Sequence, residues 1–150
     1  MDLDVGGVHT LAAYVAVLLG VLGPLLGIVY ALRVEHRDFW RRPMMGGATL
    51  TFLGVVGAYL SGRRLVSQHP RLLSDPEVMP HLGYADRLLI PVAGFFVMAL
   101  LTGLLNPRTG ALRAVLPMLL TAFAAIVLVL VALSSDSGAR QLLDQLLGQF

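Results

Sequence analysis

Four long apolar stretches limit what this sequence can fold into more than any other feature does. The hydrocarbon core of a bilayer is about 30 Å thick, and a helix needs roughly 20 apolar residues to cross it. The sequence therefore predicts an all-α integral membrane protein, a four-helix transmembrane bundle forming a single domain over residues 1–150. The predicted spans cover residues 11–32, 44–62, 84–105 and 111–133.

The composition supports the same conclusion and excludes several functions. Only 13% of the residues are charged, against about 25% in a typical soluble domain, so most of the surface must face lipid. The formal net charge of +2 is too small to indicate nucleic acid as a partner. The sequence has no cysteine, which excludes disulfides, thiolate zinc sites and iron–sulfur clusters held by cysteine.

The arginines suggest an orientation. Arg33, Arg37, Arg41 and Arg42 fall within ten residues between the first and second spans, and lysine is absent from the sequence. Short loops rich in arginine stay in the cytoplasm. We therefore expect a multi-pass protein of the bacterial inner membrane with both termini outside the cytoplasm.

The segment after the fourth span has a different pattern. In residues 137–149, leucines recur at helical spacing opposite Arg140, Gln141, Asp144 and Gln145. Thirteen residues are too few to cross a bilayer, so the pattern predicts a short C-terminal amphipathic helix lying in the membrane interface. A docking surface for a partner subunit is the alternative.

Small residues and tyrosines predict how the helices pack. Gly54, Ala58 and Gly62 form a small-xxx-small ridge on the second helix, which allows close backbone approach. We expect this ridge to pack within the chain, with homodimerisation as the alternative. Tyr14 and Tyr59 are expected to point inward, where each hydroxyl needs a hydrogen-bond partner.

Three of the four histidines are predicted to lie on the same side of the membrane. His9 opens the first helix, His69 ends the second and His81 opens the third. His9 and His81 are candidate axial ligands of a b-type haem, whose iron takes two imidazole nitrogens from neighbouring helices. A second candidate is a metal site of His69, His81 and Asp75, since imidazole and carboxylate bind transition metals.

The middle of each predicted span contains no Asp, Glu, Arg or His. Coupled transporters usually need such groups within the membrane, so this class is disfavoured. The sequence also shows no Gly-rich phosphate loop, paired carboxylates or Ser-His-Asp arrangement. These observations favour a protein that is not an enzyme.

Several short motifs together resemble a known family. They are His9, the run Gly57-Ala58-Tyr59-Leu60-Ser61-Gly62, His81, and Ser135-Asp136-Ser137-Gly138-Ala139-Arg140 after the fourth span. The pattern resembles the bacterial membrane family called domain of unknown function 2231, over roughly residues 9–141. That resemblance implies a four-helix unit whose histidines at the outer helix ends ligate haem. The family's first helix carries a second histidine where this chain has Tyr14, which leaves His9 and His81 as the matched ligands.

Two hypotheses for function follow. The first is a small non-catalytic accessory or structural subunit of a larger, respiratory-type membrane complex, with lipid and other subunits as its partners. The alternative is a b-type haem-binding or metal-binding membrane protein that uses His9 and His81.

Overall fold

Four α-helices make up most of the chain in the computed structural model, which describes residues 5–74, 78–106 and 109–147. Short 3-10 segments at Val34–His36 and Pro70–Ser74 lie in the first two connections, and no strand occurs among the described residues. The helices are α1 (Val5–Leu32), α2 (Arg37–Gln68), α3 (Val78–Leu105) and α4 (Leu112–Leu147).

All four helices contain a stretch long and apolar enough to cross a membrane. The predicted helical class and the number of candidate spans are therefore confirmed. The helices are longer than the predicted spans because a helix can continue into water beyond its apolar part. The clearest case is α2, which has 32 residues and includes charged turns on both sides of the predicted span 44–62.

Successive helices run antiparallel and pack side by side. α1 and α3 each pack against both α2 and α4. Since α1 and α3 each contact both of the other helices, they occupy opposite corners of the assembly. The contacts of Gly62 with His9 and of Gly54 with Leu19 show the register between α2 and α1. The end where α1 begins is called the His9 end below, and the end where α2 begins is called the Arg37 end.

Glycines allow these helices to approach closely. A Cβ atom on Gly54 would lie 3.0 Å from Cδ1 of Leu19, and one on Gly47 would lie 2.8 Å from Cδ1 of Leu26. The predicted ridge on α2 thus faces α1 in the same chain. A similar close contact joins α1 to α4, where a Cβ on Gly20 would lie 2.8 Å from Cγ2 of Val131.

The interior between the helices is apolar. Fully buried side chains include Phe95 of α3 and Leu120 of α4, and Thr51 and Thr102 are the polar residues among the buried ones described. The Thr51 hydroxyl lies 2.7 Å from the Leu19 carbonyl oxygen and 2.9 Å from that of Gly47. The core therefore contains no described Asp, Glu, Arg or His side chain.

The C-terminal segment does not start as a separate helix. α4 continues without a non-helical residue from Leu112 to Leu147, so the predicted start of a new helix at residue 137 is wrong. Side chains from residue 136 onward and residues 148–150 lie outside the described part of the chain. The interfacial position of residues 137–149 stays a prediction.

The loop between α2 and α3 is described in part. Residues 75–77 lie outside the described part of the chain. Pro80 is the third residue of α3. A proline early in a helix lacks only an N–H that would have no partner there.

Candidate functional site

His9 lies in the second turn of α1 and packs against α2. Its Nδ1 is 3.0 Å from the Oγ of Ser61. Its ring fills the space above Gly62, where a Cβ would come within 2.9 Å of Cε1. The absence of a side chain at Gly62 therefore makes room for the imidazole between α1 and α2.

The hydrogen bonds around His9 fit one tautomer of its ring. The Ser61 hydroxyl donates its hydrogen to the carbonyl oxygen of Ala58 at 2.9 Å. With that hydrogen used, the Ser61 oxygen accepts from His9 in the tautomer that is protonated at Nδ1. This tautomer leaves a lone pair on Nε2. Histidines that bind metals commonly donate the other ring N–H in this way.

His81 is the fourth residue of α3 and is partly buried at the same end. It is close enough to His9 for their charges to interact. The structure therefore places the two predicted haem ligands at the same end of the chain, one on α1 and one on α3.

The other proposed metal ligands are placed differently. His69 follows the last residue of α2, is exposed, and its Nδ1 lies 3.3 Å from the carbonyl oxygen of Leu65. Asp75 lies outside the described residues. Within the described ranges no group of three His, Cys, Asp or Glu side chains is arranged to hold a metal ion. The set of His69, His81 and Asp75 stays a prediction.

Arg63 borders the histidines and connects α2 to α3. Its Nε donates to the Tyr59 hydroxyl at 3.0 Å, and its guanidinium lies 5.4 Å from the centre of that ring. Nη2 lies 3.4 Å from Oδ1 of Asp86, with both side chains more than half exposed. This pair is on the surface, so its contribution to stability is small.

The tyrosine predictions have different outcomes. The expectation that Tyr14 points inward is wrong, since its side chain is 63% exposed. Tyr14 therefore lies on the outside of α1, away from the side that meets α2. Tyr59 is partly buried, and its hydroxyl has the partner in Arg63 that such a position requires.

Ser61 is the residue that sequence reasoning missed. It precedes the ridge residue Gly62 and is the only described side chain hydrogen-bonded to His9. The signal was present in the sequence Ala58-Tyr59-Leu60-Ser61-Gly62. Recognising it would have required the register between α1 and α2, which depends on packing.

Comparison of the chain with protein-family models, with curated proteins and with solved structures found no match in any of the three.

Proposed function

We propose that this protein is a four-helix bundle of the bacterial inner membrane that serves as a non-catalytic accessory subunit of a larger, respiratory-type membrane complex. The observation that carries the proposal is the apolar interior. None of the buried residues described is Asp, Glu, Arg or His, and proton and ion paths through membranes usually use such groups. Lipid and neighbouring subunits would cover the outward faces.

The outward faces support a packing role. Exposed apolar residues line the outward face of α4, including Met118, Ile126 and Val129. Lipid tails and a partner helix are equally apolar, so such a face suits either neighbour. The accessory role predicts that some of this surface is covered by protein.

Site-specific photo-crosslinking tests this role. A photoreactive residue at Ile126, which is exposed, should form adducts with other polypeptides in native membranes, while one at the buried Val127 should react only within the chain. Size-exclusion chromatography with light scattering in mild detergent provides a second measurement. A lone chain of 16.1 kDa without adducts at Ile126, Met118 or Val129 would contradict the accessory role.

Orientation is part of the same proposal. The loop bearing Arg33, Arg37, Arg41 and Arg42 would face the cytoplasm, which places both termini outside it. Accessibility of short tags at each terminus to a membrane-impermeant reagent checks this arrangement. Tags that react only after the membrane is opened would show that both termini face the cytoplasm, the opposite orientation.

The second candidate function, binding of a b-type haem, is favoured by the pair His9 and His81. Two imidazoles from diagonal helices, one with its Nε2 lone pair available, fit the donor set that haem iron takes. Bound haem would supply one-electron transfer. Membership of the bacterial family suggested by the sequence belongs to this second proposal.

A pigment spectrum separates the two candidates. If haem is bound, the purified protein supplied with haem should show a Soret band that His9→Ala and His81→Ala each remove. His36→Ala is the matched control, because His36 is exposed at the opposite end. If the protein shows no Soret band after haem is added, haem binding is excluded and the accessory role is the remaining candidate.

A further inference from the structure

The Arg37 end carries an unusual concentration of positive charge. Arg33, Arg37, Arg41 and Arg42 come from the connection between α1 and α2 and the first turns of α2. Arg113, in the first turn of α4, lies at the same end, because its carbonyl accepts a hydrogen bond from Arg37. The cations therefore come from α2, the connection before it and α4, and the Arg37 side chain joins the first turns of α2 and α4.

Arg37 is held in place by three helices. Its guanidinium lies 5.6 Å from the ring centre of Tyr30, a fully buried residue in the last turn of α1. Its Nη1 donates to the carbonyl oxygen of Arg113 at 3.2 Å. Its Nε is buried and has no hydrogen-bond partner. A cation fixed by these contacts does not lose side-chain entropy when it binds an anion.

The neighbouring arginines surround Arg37. Arg41 is one turn after Arg37 and partly buried, and its charge reaches the Tyr30 hydroxyl. Arg33 and Arg42 are exposed. The ion pair of Arg63 with Asp86 lies at the opposite end.

Two carboxylates lie at this end, against the five arginines named above. Asp38, in the first turn of α2, accepts a hydrogen bond at 2.9 Å from Nδ2 of Asn106, which follows α3. Glu35 is exposed in the 3-10 turn. The start of α2 adds to the positive potential, since His36 at its N-cap makes no side-chain capping hydrogen bond and helix N-termini carry partial positive charge.

Apolar side chains surround these cations. Phe39 and Trp40 form an edge-to-face pair with ring centres 5.2 Å apart, and such aromatic residues mark the level of lipid headgroups. At the same end Leu32 is 75% exposed, Phe39 71% and Leu104 70%. A soluble anion would leave these apolar side chains uncovered, whereas the acyl chains of a lipid would cover them.

We propose that the Arg37 end binds the phosphate headgroup of an anionic phospholipid, with Arg41 and Arg42 contacting the phosphate oxygens and the acyl chains lying along the exposed leucines. This inference rests on the proposed membrane placement. Basic pockets between transmembrane helices bind acidic headgroups in this manner. Arg37 also contacts α1 and α4 at this end, so its substitution would disturb helix packing as well as lipid binding. Arg41 and Arg42 are therefore the residues to substitute.

Trp40 provides the measurement, because it is the one tryptophan of the sequence. The full chain is reconstituted in phosphatidylcholine bilayers that contain phosphatidylglycerol or phosphatidylcholine with brominated acyl chains, which quench tryptophan fluorescence on contact. We expect brominated phosphatidylglycerol to quench at the lower mole fraction. Arg42→Gln should reduce that preference about fivefold, and Arg41→Gln with Arg42→Gln about 25-fold, at about 1 kcal/mol per arginine.

The matched control is Arg64→Gln with Arg71→Gln, which removes two exposed cations from the His9 end and should leave the preference unchanged. Equal loss in both double variants would show general charge attraction and overturn the site. Inorganic phosphate that displaces the brominated lipid at millimolar concentration would overturn the lipid assignment. Equal quenching by both lipids would overturn the headgroup site and leave the membrane placement standing. No quenching by either lipid would overturn the membrane placement as well.

Discussion

Gly23 of α1 lies against the hydroxyl group of Thr51 on α2 with no room between them for a Cβ atom. Thr51 in turn is 2.7 Å from the carbonyl oxygen of Leu19, one turn earlier on α1. The two helices thus approach until a side chain of one hydrogen-bonds the backbone of the other. In a membrane, close packing and interhelical hydrogen bonds drive helix association, because lipid is as apolar as the helix surface.

Replacement of Gly23 by alanine should destabilise the fold. The new methyl group would meet Thr51 and the Gly47 carbonyl, and overpacking of this kind costs about 1–3 kcal/mol. Gly57→Ala is the control, since a Cβ there meets nothing within 4 Å. Unfolding by sodium dodecyl sulfate in mixed micelles, followed by circular dichroism, measures both variants. Equal effects would contradict the α1–α2 register.

Thr51→Val removes the interhelical hydrogen bond and keeps the shape of the side chain. We expect a loss of about 0.6 kcal/mol in the free energy of unfolding, the average for such bonds between membrane helices. Thr121→Val is the matched control because Thr121 bonds only the Pro117 carbonyl of its own helix. The same titration should show a smaller loss there, and the reverse order would argue against a cross-helix bond at Thr51.

Ser61→Ala should weaken the contact between α1 and α2 at the His9 end. It removes the acceptor for the Nδ1–H of His9, and a net loss of about 1 kcal/mol is typical for one hydrogen bond. Ser67→Ala serves as control, since Ser67 is exposed and bonds only its own helix at Arg64. If haem binds, Ser61→Ala should also weaken its binding, as loss of second-shell partners does. An unchanged unfolding curve for Ser61→Ala would indicate that His9 does not depend on Ser61.

Asn106 combines an unusual backbone angle with a hydrogen bond. Its φ is +36°, in the region that alanine avoids at a cost of about 1–2 kcal/mol. Asn106→Gly should lose only the hydrogen bond to Asp38, whereas Asn106→Ala should lose that bond and add backbone strain. Thermal unfolding of the two variants should rank glycine above alanine, and the opposite ranking would exclude the positive φ.

Asp86→Asn tests the surface pair with Arg63. Both side chains are more than half exposed, so screening by water and salt should keep the loss below about 1 kcal/mol. Unfolding measured at low and at high salt should show the small difference between variant and parent disappear as salt is added. A large, salt-independent loss would mean that the pair is less accessible to water than its exposure indicates.

The sequence was sufficient for the number of spans, their order and the ends at which the histidines lie. Hydropathy determines the spans, and counting crossings then places His9 and His81 on the same side. The helix ends were less predictable, because Arg37 and Gln68 continue a helix after its apolar part ends. Local charge marks where a helix leaves lipid and does not mark where it stops.

The orientation of side chains could not be predicted in this way. In a soluble helix the apolar face is the buried face, but lipid is as apolar as the core. In α1, Ala16 is buried while Leu18 is 59% exposed, and hydrophobicity does not distinguish them. The same physics explains why Tyr14 was placed inward, and why the partnership of Ser61 with His9 became visible only with the register.

The length of α4 has a mechanical consequence. Its 36 residues at 1.5 Å each make a rod about 54 Å long, against about 30 Å of hydrocarbon. The part beyond residue 133, where the predicted span ends, would extend about 21 Å further. Because α4 is continuous to Leu147, a tilt of its membrane part would tilt its C-terminal part by the same angle.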